Sequence, residues 1–396
     1  MRRVVALMAV FLPACGPHPD DAVLRYLQLA VALGERDPDA IDYYYGPDEW
    51  VSEARAHPPR LAEIQRDALD LANRVKARTF LAGQLKAIAA RAELLQGKKR
   101  NFEDEARAWF DLELPPPPDP AELERVRREI AVLLRGSRYA DFDARFLIPP
   151  ERLKSVIDRA MQGCRERTLA HLKLPPEESV SVEYVGDKPW NAYSSYQGGF
   201  HSVIRINADF PLTVDRALEL ACHEGYPGHH AYNTLADAQL VRRQRRLEFM
   251  VQPTFSPQSL LSEGLASNAA DIAFPEGDRL QFERDVLFPL AGIESRDIEL
   301  YLHINRLVDR LAGAQTEIAR NYLDGKLEWA RAASALEDQA LMAHAEATLQ
   351  YLNQYRSYML TYTAGKDIAA RCFGGKSPSD RWKLYERLIL RGPSNI

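Results

Sequence analysis

Histidine and glutamate side chains are concentrated in the segment ALELACHEGYPGHHAYN, residues 217–233. His223 and Glu224 stand side by side, and His229 and His230 follow after four intervening residues. Two imidazoles and a carboxylate, with a fourth position left for water, are the usual ligands of a hydrolytic zinc ion. The segment therefore indicates a zinc site that activates water.

The spacing of these histidines differs from that of the common H-E-x-x-H zinc helix. There, four residues turn about 400° and rise about 6 Å, so both imidazoles lie on one helix face. His223 and His229 are six residues apart and would differ by about 240° in a regular helix. Pro227 breaks the helix because it lacks an N–H, and Gly225 and Gly228 permit a backbone detour. We predict that two residues loop out and bring His229 beside His223.

Geometry alone does not decide whether His229 or His230 is the second ligand. The string H-E-x-x-P-G-H-H, followed by a helical pattern and an E-G-x-A segment, resembles a bacterial family catalogued as a domain of unknown function. The sequences of that family resemble gluzincin zinc metallopeptidases. GHHAY aligns with the GHIQY and GHALY endings of angiotensin-converting enzyme and of Taq-type carboxypeptidases. This resemblance implies that His229 is the ligand and that His230 is a supporting neighbour.

The same resemblance implies further site residues. The third ligand of gluzincins is a glutamate on a later helix, which corresponds to Glu263 in SLLSEGLASNAADIAF, 34 residues after His229. Glu224 then takes the position of the general base that acts on water. Asp271, two turns beyond Glu263, is a candidate to orient a ligand imidazole, and an ordinary polar surface position is the alternative.

A tyrosine-rich segment near the C-terminus is a candidate for contacts with substrate. Residues 358–365, YMLTYTAG, resemble the G-Y-x-x-T-Y-x-x-G region of Taq-type carboxypeptidases. Tyr358 and Tyr362, four residues apart on an expected helix face, are expected to donate hydrogen bonds to the oxyanion, with burial in the core as the alternative. Arg356 is a candidate clamp for a substrate carboxylate.

The chain is predicted to be mainly α, because apolar residues recur every three or four positions over most of its length. Around Ser179 the period changes to two in SVSVEYVG and again in FHSVIRIN, which predicts a small antiparallel sheet beside the zinc helix. Gly198 and Gly199 would let a substrate backbone approach that sheet closely. The predicted fold class is thus a gluzincin-like helical metallopeptidase with a small antiparallel β-sheet.

The N-terminal residues MRRVVALMAVFLPACGPHPDD are typical of a bacterial secretory signal. LPAC resembles the lipobox of lipoproteins, so Cys15 is the expected lipidation site. We predict a signal peptide with a lipobox-like end over residues 1–15, a helical lobe over 16–175 and the catalytic zinc region over 176–396. The lobe and the zinc region can equally form one continuous domain.

The other cysteines, Cys164, Cys222 and Cys372, show no close spacing, so no disulfide framework is indicated. Cys222 beside His223 is expected to be a small buried core residue.

Composition excludes several classes of function. The chain has 396 residues, 46% of them hydrophobic, with a net charge of −5. Nucleic-acid binding is not expected, and attachment to a membrane is expected only through a lipid anchor. The predicted function is a Zn²⁺-dependent metallopeptidase acting on short peptides, either a carboxypeptidase or an oligopeptidase. The alternatives are a non-catalytic exported lipoprotein and a zinc amidohydrolase for a non-peptide amide.

Overall fold

The computed structural model describes residues 21–75, 79–188, 190–275 and 277–392. Cys15 and the rest of the predicted signal segment lie outside the described residues. The described chain is mainly helical with two small sheets, which confirms the predicted fold class at the level of a mainly α protein with a small sheet. No helix of the described ranges is both long enough and apolar enough to cross a membrane.

Most of the described residues lie in α-helices, which are numbered here in chain order. The first ten are α1 (Asp21–Gly34), α2 (Asp48–Ala56), α3 (Leu61–Arg74), α4 (Phe80–Leu95), α5 (Phe102–Phe110), α6 (Pro120–Leu134), α7 (Tyr139–Asp143), α8 (Pro150–Leu169), α9 (Val214–Glu224) and α10 (His229–Ala236). The others are α11 (Pro257–Ser267), α12 (Ala269–Ala273), α13 (Asp278–Phe282), α14 (Phe288–Ala291), α15 (Ile298–Asp309), α16 (Ala312–Leu323), α17 (Trp329–Gln339), α18 (Ala345–Tyr355), α19 (Ala364–Phe373) and α20 (Pro378–Arg391).

The strands of the described chain form two separate sheets. β1 (Ile41–Tyr44) pairs antiparallel with β5 (Val251–Pro253), and the second sheet has the order β2 (Ser179–Val185), β4 (His201–Asn207), β3 (Ala192–Tyr196). The pairing of β3 with β4 is antiparallel, as predicted, whereas β2 pairs parallel with β4. Strand β4 takes the central position because its alternate side chains Ile204 and Ile206 are buried in the core.

Three hydrophobic clusters stabilise the fold. One lies among α1, α3 and α4, and a second joins α5 to α16, α17 and α18. The largest contains α8, α9, α10, α15 and α20, and in it Ala217 and Leu218 of α9 are fully buried. Helix α9 is therefore fixed by packing along one face, which positions its C-terminal end.

Cys164 on α8 and Cys222 on α9 form a disulfide, which corrects the expectation that Cys222 is a simple core residue. Their separation of 58 residues carries no recognisable spacing, but α8 packs against α9 and brings their Cα atoms within 5.5 Å. The bond joins the two predicted regions on either side of residue 175, as does the pairing of β1 with β5.

Replacing both Cys164 and Cys222 by Ala should lower the free energy of unfolding by about 2–4 kcal/mol, because the unfolded chain loses a long cross-link. Denaturant unfolding of the oxidised protein and the double variant measures this difference. Cys372→Ala, which removes the free cysteine of the described residues, is the matched control. Equal unfolding midpoints for the double variant and the native protein would contradict the prediction.

Candidate metal centre

The chain between α9 and α10 makes a short detour in an otherwise helical path. The N–H of Gly228 donates to the carbonyl of Cys222 at 3.0 Å, and the N–H of Ala231 donates to that of Gly225 at 3.2 Å. Both hydrogen bonds span six residues, whereas those of a regular α-helix span four. Two residues are therefore looped out, which confirms the predicted detour.

Close packing within the detour requires glycine at position 228. A Cβ atom on Gly228 would lie 1.8 Å from the carbonyl oxygen of His223, so any side chain would push the two helices apart. The peptide bond between Tyr226 and Pro227 is cis. The phenol of Tyr385 on α20 donates to the carbonyl of Pro227 at 3.0 Å. The loop is thus held from outside by the C-terminal helix.

The detour places His223 and His229 side by side, and Glu263 of α11 faces both. The Nε2 atoms of the two imidazoles are 3.1 Å apart, and Oε2 of Glu263 lies 3.2 Å from Nε2 of His223 and 3.4 Å from Nε2 of His229. The three side chains form a group whose ligand atoms all lie within 4.8 Å of one another. The fold therefore brings together the three residues that were predicted to bind a metal, which come from two distant segments of the sequence.

The donor set fits a zinc ion. Oε2 of Glu263 is buried and accepts no hydrogen bond from the protein, although an isolated buried carboxylate oxygen is costly. Ligand atoms about 2.0–2.1 Å from a tetrahedral zinc ion lie roughly 3.3 Å from one another, close to the spacing of these three atoms. Two nitrogens and one carboxylate oxygen also match the ligand types of hydrolytic zinc sites.

His229 and the Glu263 carboxylate shift each other's pKa values. Burial would lower the pKa of His229, but the neighbouring Glu263 carboxylate raises it to about 9. Burial would likewise raise the pKa of Glu263, but the positive charges of His229 and His223 hold it well below its usual range. The carboxylate thus attracts a proton to the imidazoles, and a metal cation would take that proton's place.

Tyr358, which was predicted to donate a hydrogen bond to the oxyanion, donates to the Glu263 carboxylate instead. Its hydroxyl donates to Oε1 of Glu263 at 2.8 Å, and its side chain is buried. The segment Arg356–Thr361 is a 3-10 helix and not the α-helix expected for residues four apart. A Cβ atom on Gly264 would lie 2.5 Å from the carbonyl oxygen of Gly365, so the two glycines allow α11 and α19 to pack closely beside this tyrosine.

Tyr362 is the tyrosine that remains open to solvent. Its side chain is 40% exposed, and its ring centroid lies 6.1 Å from that of His223 and 5.8 Å from that of Tyr358. Of the two tyrosines predicted to be catalytic, Tyr362 is the exposed one, and its hydroxyl is hydrogen-bonded with that of Tyr351.

Glu224 is buried at the C-terminal end of α9, directly after the ligand His223. Burial raises its pKa, and the positive charge of the two imidazoles only partly opposes this effect. The backbone N–H of Ser194 on β3 hydrogen-bonds to the carboxylate. An edge strand of the sheet therefore lies directly beside the predicted general base.

His230 points away from the ligand cluster. Its Nδ1 lies 2.8 Å from the hydroxyl of Ser202, and its Nε2 lies 2.9 Å from Oε2 of Glu178. Burial would raise the pKa of Glu178, but hydrogen bonds from His230, Tyr226 and Arg165 lower it to about 2, and burial lowers the pKa of His230. A neutral His230 therefore donates to an ionised Glu178, which fixes the detour from behind.

Arg356 cannot clamp a substrate carboxylate, which corrects its predicted role. Its guanidinium is buried, and Nε donates to Oε2 of Glu105 on α5 at 2.6 Å. The N–H of Ser357 donates to the other oxygen of the same carboxylate at 3.1 Å. Arg356 and Glu105 form a buried ion pair that fixes the 3-10 segment on α5.

Asp271 does not orient a ligand imidazole, which corrects a second expectation. Its side chain is 64% exposed, and its carboxylate lies 3.9 Å from the guanidinium of Arg279. Helix α11 ends at Ser267, and α12 begins after Asn268. The helix face that carries Glu263 is therefore not continued as far as Asp271.

Gly198 and Gly199 form the turn between β3 and β4, with φ values of 74° and 61°. Both values lie in the left-handed region that favours glycine, and Gly198 packs on Tyr45, whose Cβ would lie 2.9 Å from an added Cβ. The turn explains both glycines, and their predicted contact with substrate stays a prediction.

Asp42 on β1 is a buried acidic residue, electrostatically coupled to His229 and Glu263, that no sequence motif signals. Its Oδ2 accepts a hydrogen bond from Nε2 of Gln252 at 2.9 Å, and the phenol of Tyr193 donates to its carbonyl at 2.6 Å. Burial raises the pKa of Asp42 to about 7, with the charge of His229 opposing and that of Glu263 adding to the effect. The pairing of β1 with β5 brings it to the site across more than two hundred residues of sequence.

Comparisons with known proteins do not assign a family to the chain. No family model and no curated protein matches it. A solved structure described as a lipoprotein from Colwellia psychrerythraea is similar to it, with a TM-score of 0.49 and 15% sequence identity. The similarity covers 94% of this chain and 73% of that one, and no functional conclusion rests on it.

His229→Ala should reduce the zinc content of the purified protein from about one ion per chain to nearly none, because only two ligands remain. His230→Ala should retain the zinc and lower the free energy of unfolding by about 1–3 kcal/mol, since Glu178 loses a donor. Elemental analysis and denaturant unfolding of both variants test this. Loss of zinc in His230→Ala but not in His229→Ala would show that His230, and not His229, is the ligand.

Tyr358→Phe should weaken zinc binding by about 10- to 100-fold, because the hydrogen bond that holds Glu263 is lost. Tyr362→Phe is the matched control, with the same atom removed from the neighbouring ring, and should leave zinc affinity unchanged. Competition with a chromogenic chelator measures both affinities. Equal affinities in the two variants would show that the bond from Tyr358 does not support the ligand.

Proposed function

We propose that the protein is a zinc-dependent peptidase that hydrolyses short peptides. The observation that carries the proposal is the convergence of His223, His229 and Glu263 on one point, with Glu224 buried beside it. A general base next to two ligand imidazoles has no evident role in a protein that only binds, since it adds a buried carboxylate at a cost in stability.

Each residue of the site has a chemical role in this proposal. Zinc, when held by the two histidines and Glu263, supplies Lewis acidity and lowers the pKa of water. Glu224 accepts the proton of the attacking water and passes it to the leaving amine. Burial raises its pKa, which makes it a stronger proton acceptor. Tyr362, an exposed residue beside His223, donates its hydroxyl hydrogen to the carbonyl oxygen as charge develops there.

The sheet offers a way to position an extended peptide. Strand β3 pairs on one side with β4, and the N–H of Ser194 on this strand is directed at Glu224. A peptide that runs beside β3 would place a carbonyl near the base by β-strand addition. The site is recessed, with the side chains of His223 and His229 only 17% and 10% exposed, which favours short unfolded substrates over folded proteins.

Export and lipid anchoring are part of the proposal. The N-terminal residues, with their apolar run and LPAC ending at Cys15, support secretion followed by lipidation. The Cys164–Cys222 disulfide also suits an oxidising compartment outside the cytoplasm.

Glu224→Gln should retain one zinc per chain and lower peptide hydrolysis by about 100- to 10,000-fold, because the amide cannot accept the proton. The experiment incubates the zinc-loaded protein with a library of short peptides and identifies cleavage products by mass spectrometry. Glu299→Gln, a change of an exposed glutamate on α15, is the matched control and should cleave like the native protein.

The possible results separate the proposal from its alternatives. A native protein that holds zinc but cleaves no peptide would favour the non-catalytic lipoprotein or the amidohydrolase acting on a non-peptide amide. A protein that takes up no stoichiometric zinc would overturn the metallopeptidase proposal entirely.

A further inference from the structure

The segment that follows α10 contains four arginines, at positions 242, 243, 245 and 246. Arg242 pairs with Asp237 at 3.0 Å, and Arg246 pairs with Glu248 at 3.0 Å. These two arginines are therefore neutralised by acidic partners. Residues 237–248 hold four arginines against two acidic residues, so the segment has a net charge of +2, whereas the whole chain has a net charge of −5.

Arg243 and Arg245 carry this excess of positive charge. Both side chains are exposed, and neither forms an ion pair with another of the described residues. The guanidinium of Arg243 donates to the neutral amide oxygen of Gln239 at 3.2 Å, which leaves its charge unbalanced. Two exposed positive charges without acidic partners are available to an anion outside the protein.

The last turn of α20 adds a third such arginine. Arg391 is exposed, and the structure of the described chain gives it no acidic partner. The next residue, Gly392, packs on the arginine-rich segment, since a Cβ atom there would lie 3.3 Å from the ring of Phe249. The guanidinium carbon of Arg246 lies 4.5 Å from the centroid of the same ring. The end of α20 and the segment after α10 thus meet at Phe249.

Helices α1 and α4 run in the same direction. In its first half, α1 carries Tyr26, which adjoins Gln84 in the first half of α4. Beyond the last residue of α1, Asp37 pairs with Arg91 of α4 at 2.7 Å. Because early residues meet early residues and late residues meet late ones, the two helices begin at the same end of the molecule.

The arginines lie at that same end. The ring of Phe249 stacks on that of Phe80, the first residue of α4, with their centroids 4.4 Å apart. The 3-10 turn Leu247–Met250, which immediately follows the arginines, packs on α1. The arginines therefore lie near the point where the chain enters α1 at Asp21.

This end of the molecule is also the one nearest the expected lipid anchor. Cys15 precedes Asp21 by six residues, and six residues of fully extended chain span at most about 20 Å. A lipid on Cys15 would therefore keep the start of α1 within about that distance of the bilayer. Clusters of arginine at a membrane surface are attracted by anionic lipids.

From this arrangement we infer that Arg243, Arg245 and Arg391 form a surface that binds anionic phospholipid headgroups and orients the anchored protein on the membrane. Phosphate oxygens accept charge-assisted hydrogen bonds from guanidinium groups, which match their geometry. The inference rests on the lipid anchoring proposed above. It goes further by naming the face of the protein that contacts the bilayer and the class of lipid that it contacts.

The test measures binding of the full chain to lipid vesicles by co-sedimentation. All proteins compared carry Cys15→Ser, which removes the site of acylation, and all share residues 1–15, so any contribution of that segment is the same in each. The vesicles contain phosphatidylcholine alone or phosphatidylcholine with about one third phosphatidylglycerol. Binding to the anionic vesicles should be tighter than to the neutral ones and should weaken as salt is added, because salt screens the charges.

Changing Arg243, Arg245 and Arg391 together to Gln should weaken binding to the anionic vesicles by about 10- to 100-fold, since each arginine near an anionic surface contributes roughly fivefold. Binding to the neutral vesicles should stay unchanged. Because the three side chains are exposed, the substitutions leave the core intact.

The matched control changes Arg128, Arg152 and Arg331 together to Gln. These exposed arginines lie on α6, α8 and α17, and their replacement alters the net charge by the same amount. The control should bind the anionic vesicles within about twofold of the parent protein. Equal binding by the two triple variants, or equal binding of the parent protein to both kinds of vesicle, would overturn the inference.

The inference and the proposed anchoring fail in different ways. Mass spectrometry of the exported protein that finds no acyl group on Cys15 would refute the anchoring, while the vesicle measurement still decides whether the surface binds anionic lipid. An acylated Cys15, together with equal binding by the two triple variants, would refute only the role of the arginines.

Discussion

The site depends on a constraint of helix geometry: imidazoles six residues apart on a regular α-helix cannot face the same point. The hydrogen bonds from Gly228 to Cys222 and from Ala231 to Gly225 each span six residues, and they remove the two extra residues from the helical path. His229 then occupies the position that a fourth residue would have in an uninterrupted helix. The approach of the two ligands and the burial of Glu224 beside them follow from this detour.

A detour of this kind needs support because its backbone does not continue one helix. The support comes from Glu178, which accepts hydrogen bonds from the detour through Tyr226, from α10 through His230 and from α8 through Arg165. A buried carboxylate is stabilising only when its partners are all in place. The three donors come from three different elements, so the detour, the helices and the start of β2 are fixed together. The disulfide between Cys164 and Cys222 joins α8 to α9 in the same region.

Features of the site that depend on neighbouring residues could be predicted from the sequence, whereas features that depend on distant residues could not. The pair His223 and His229 follows from local chemistry, because the proline and the glycines that bend the chain lie between them. Asp271 was expected on the face of Glu263, but that inference assumed an unbroken helix, and α11 ends at Ser267. A local pattern predicts a residue's position well only while the helix or strand that carries it continues.

Long-range partners explain the other differences. Arg356 had the chemistry of a carboxylate clamp, but its partner Glu105 lies 251 residues away and no feature near Arg356 indicates it. Tyr358 has the motif of a catalytic tyrosine, but its hydroxyl is bound to Glu263, 95 residues earlier. The mainly α fold was predictable from periodicity, whereas the parallel pairing of β2 with β4 was not, since alternation fixes which face is buried but not the neighbouring strand.

These partners also separate the buried residues, whose hydrogen bonds fix the geometry of the site, from the residues that are exposed to solvent. Glu263, His230 and Tyr358 are buried and hydrogen-bonded within the protein, and the energy of those contacts fixes their geometry. Tyr362 is exposed beside them. A hydrogen-bond donor held in a fixed position lowers the cost of reorganisation when negative charge develops on a reacting oxygen. The buried polar contacts of the fold therefore orient Glu263 and the detour, whereas Tyr362 is exposed beside them.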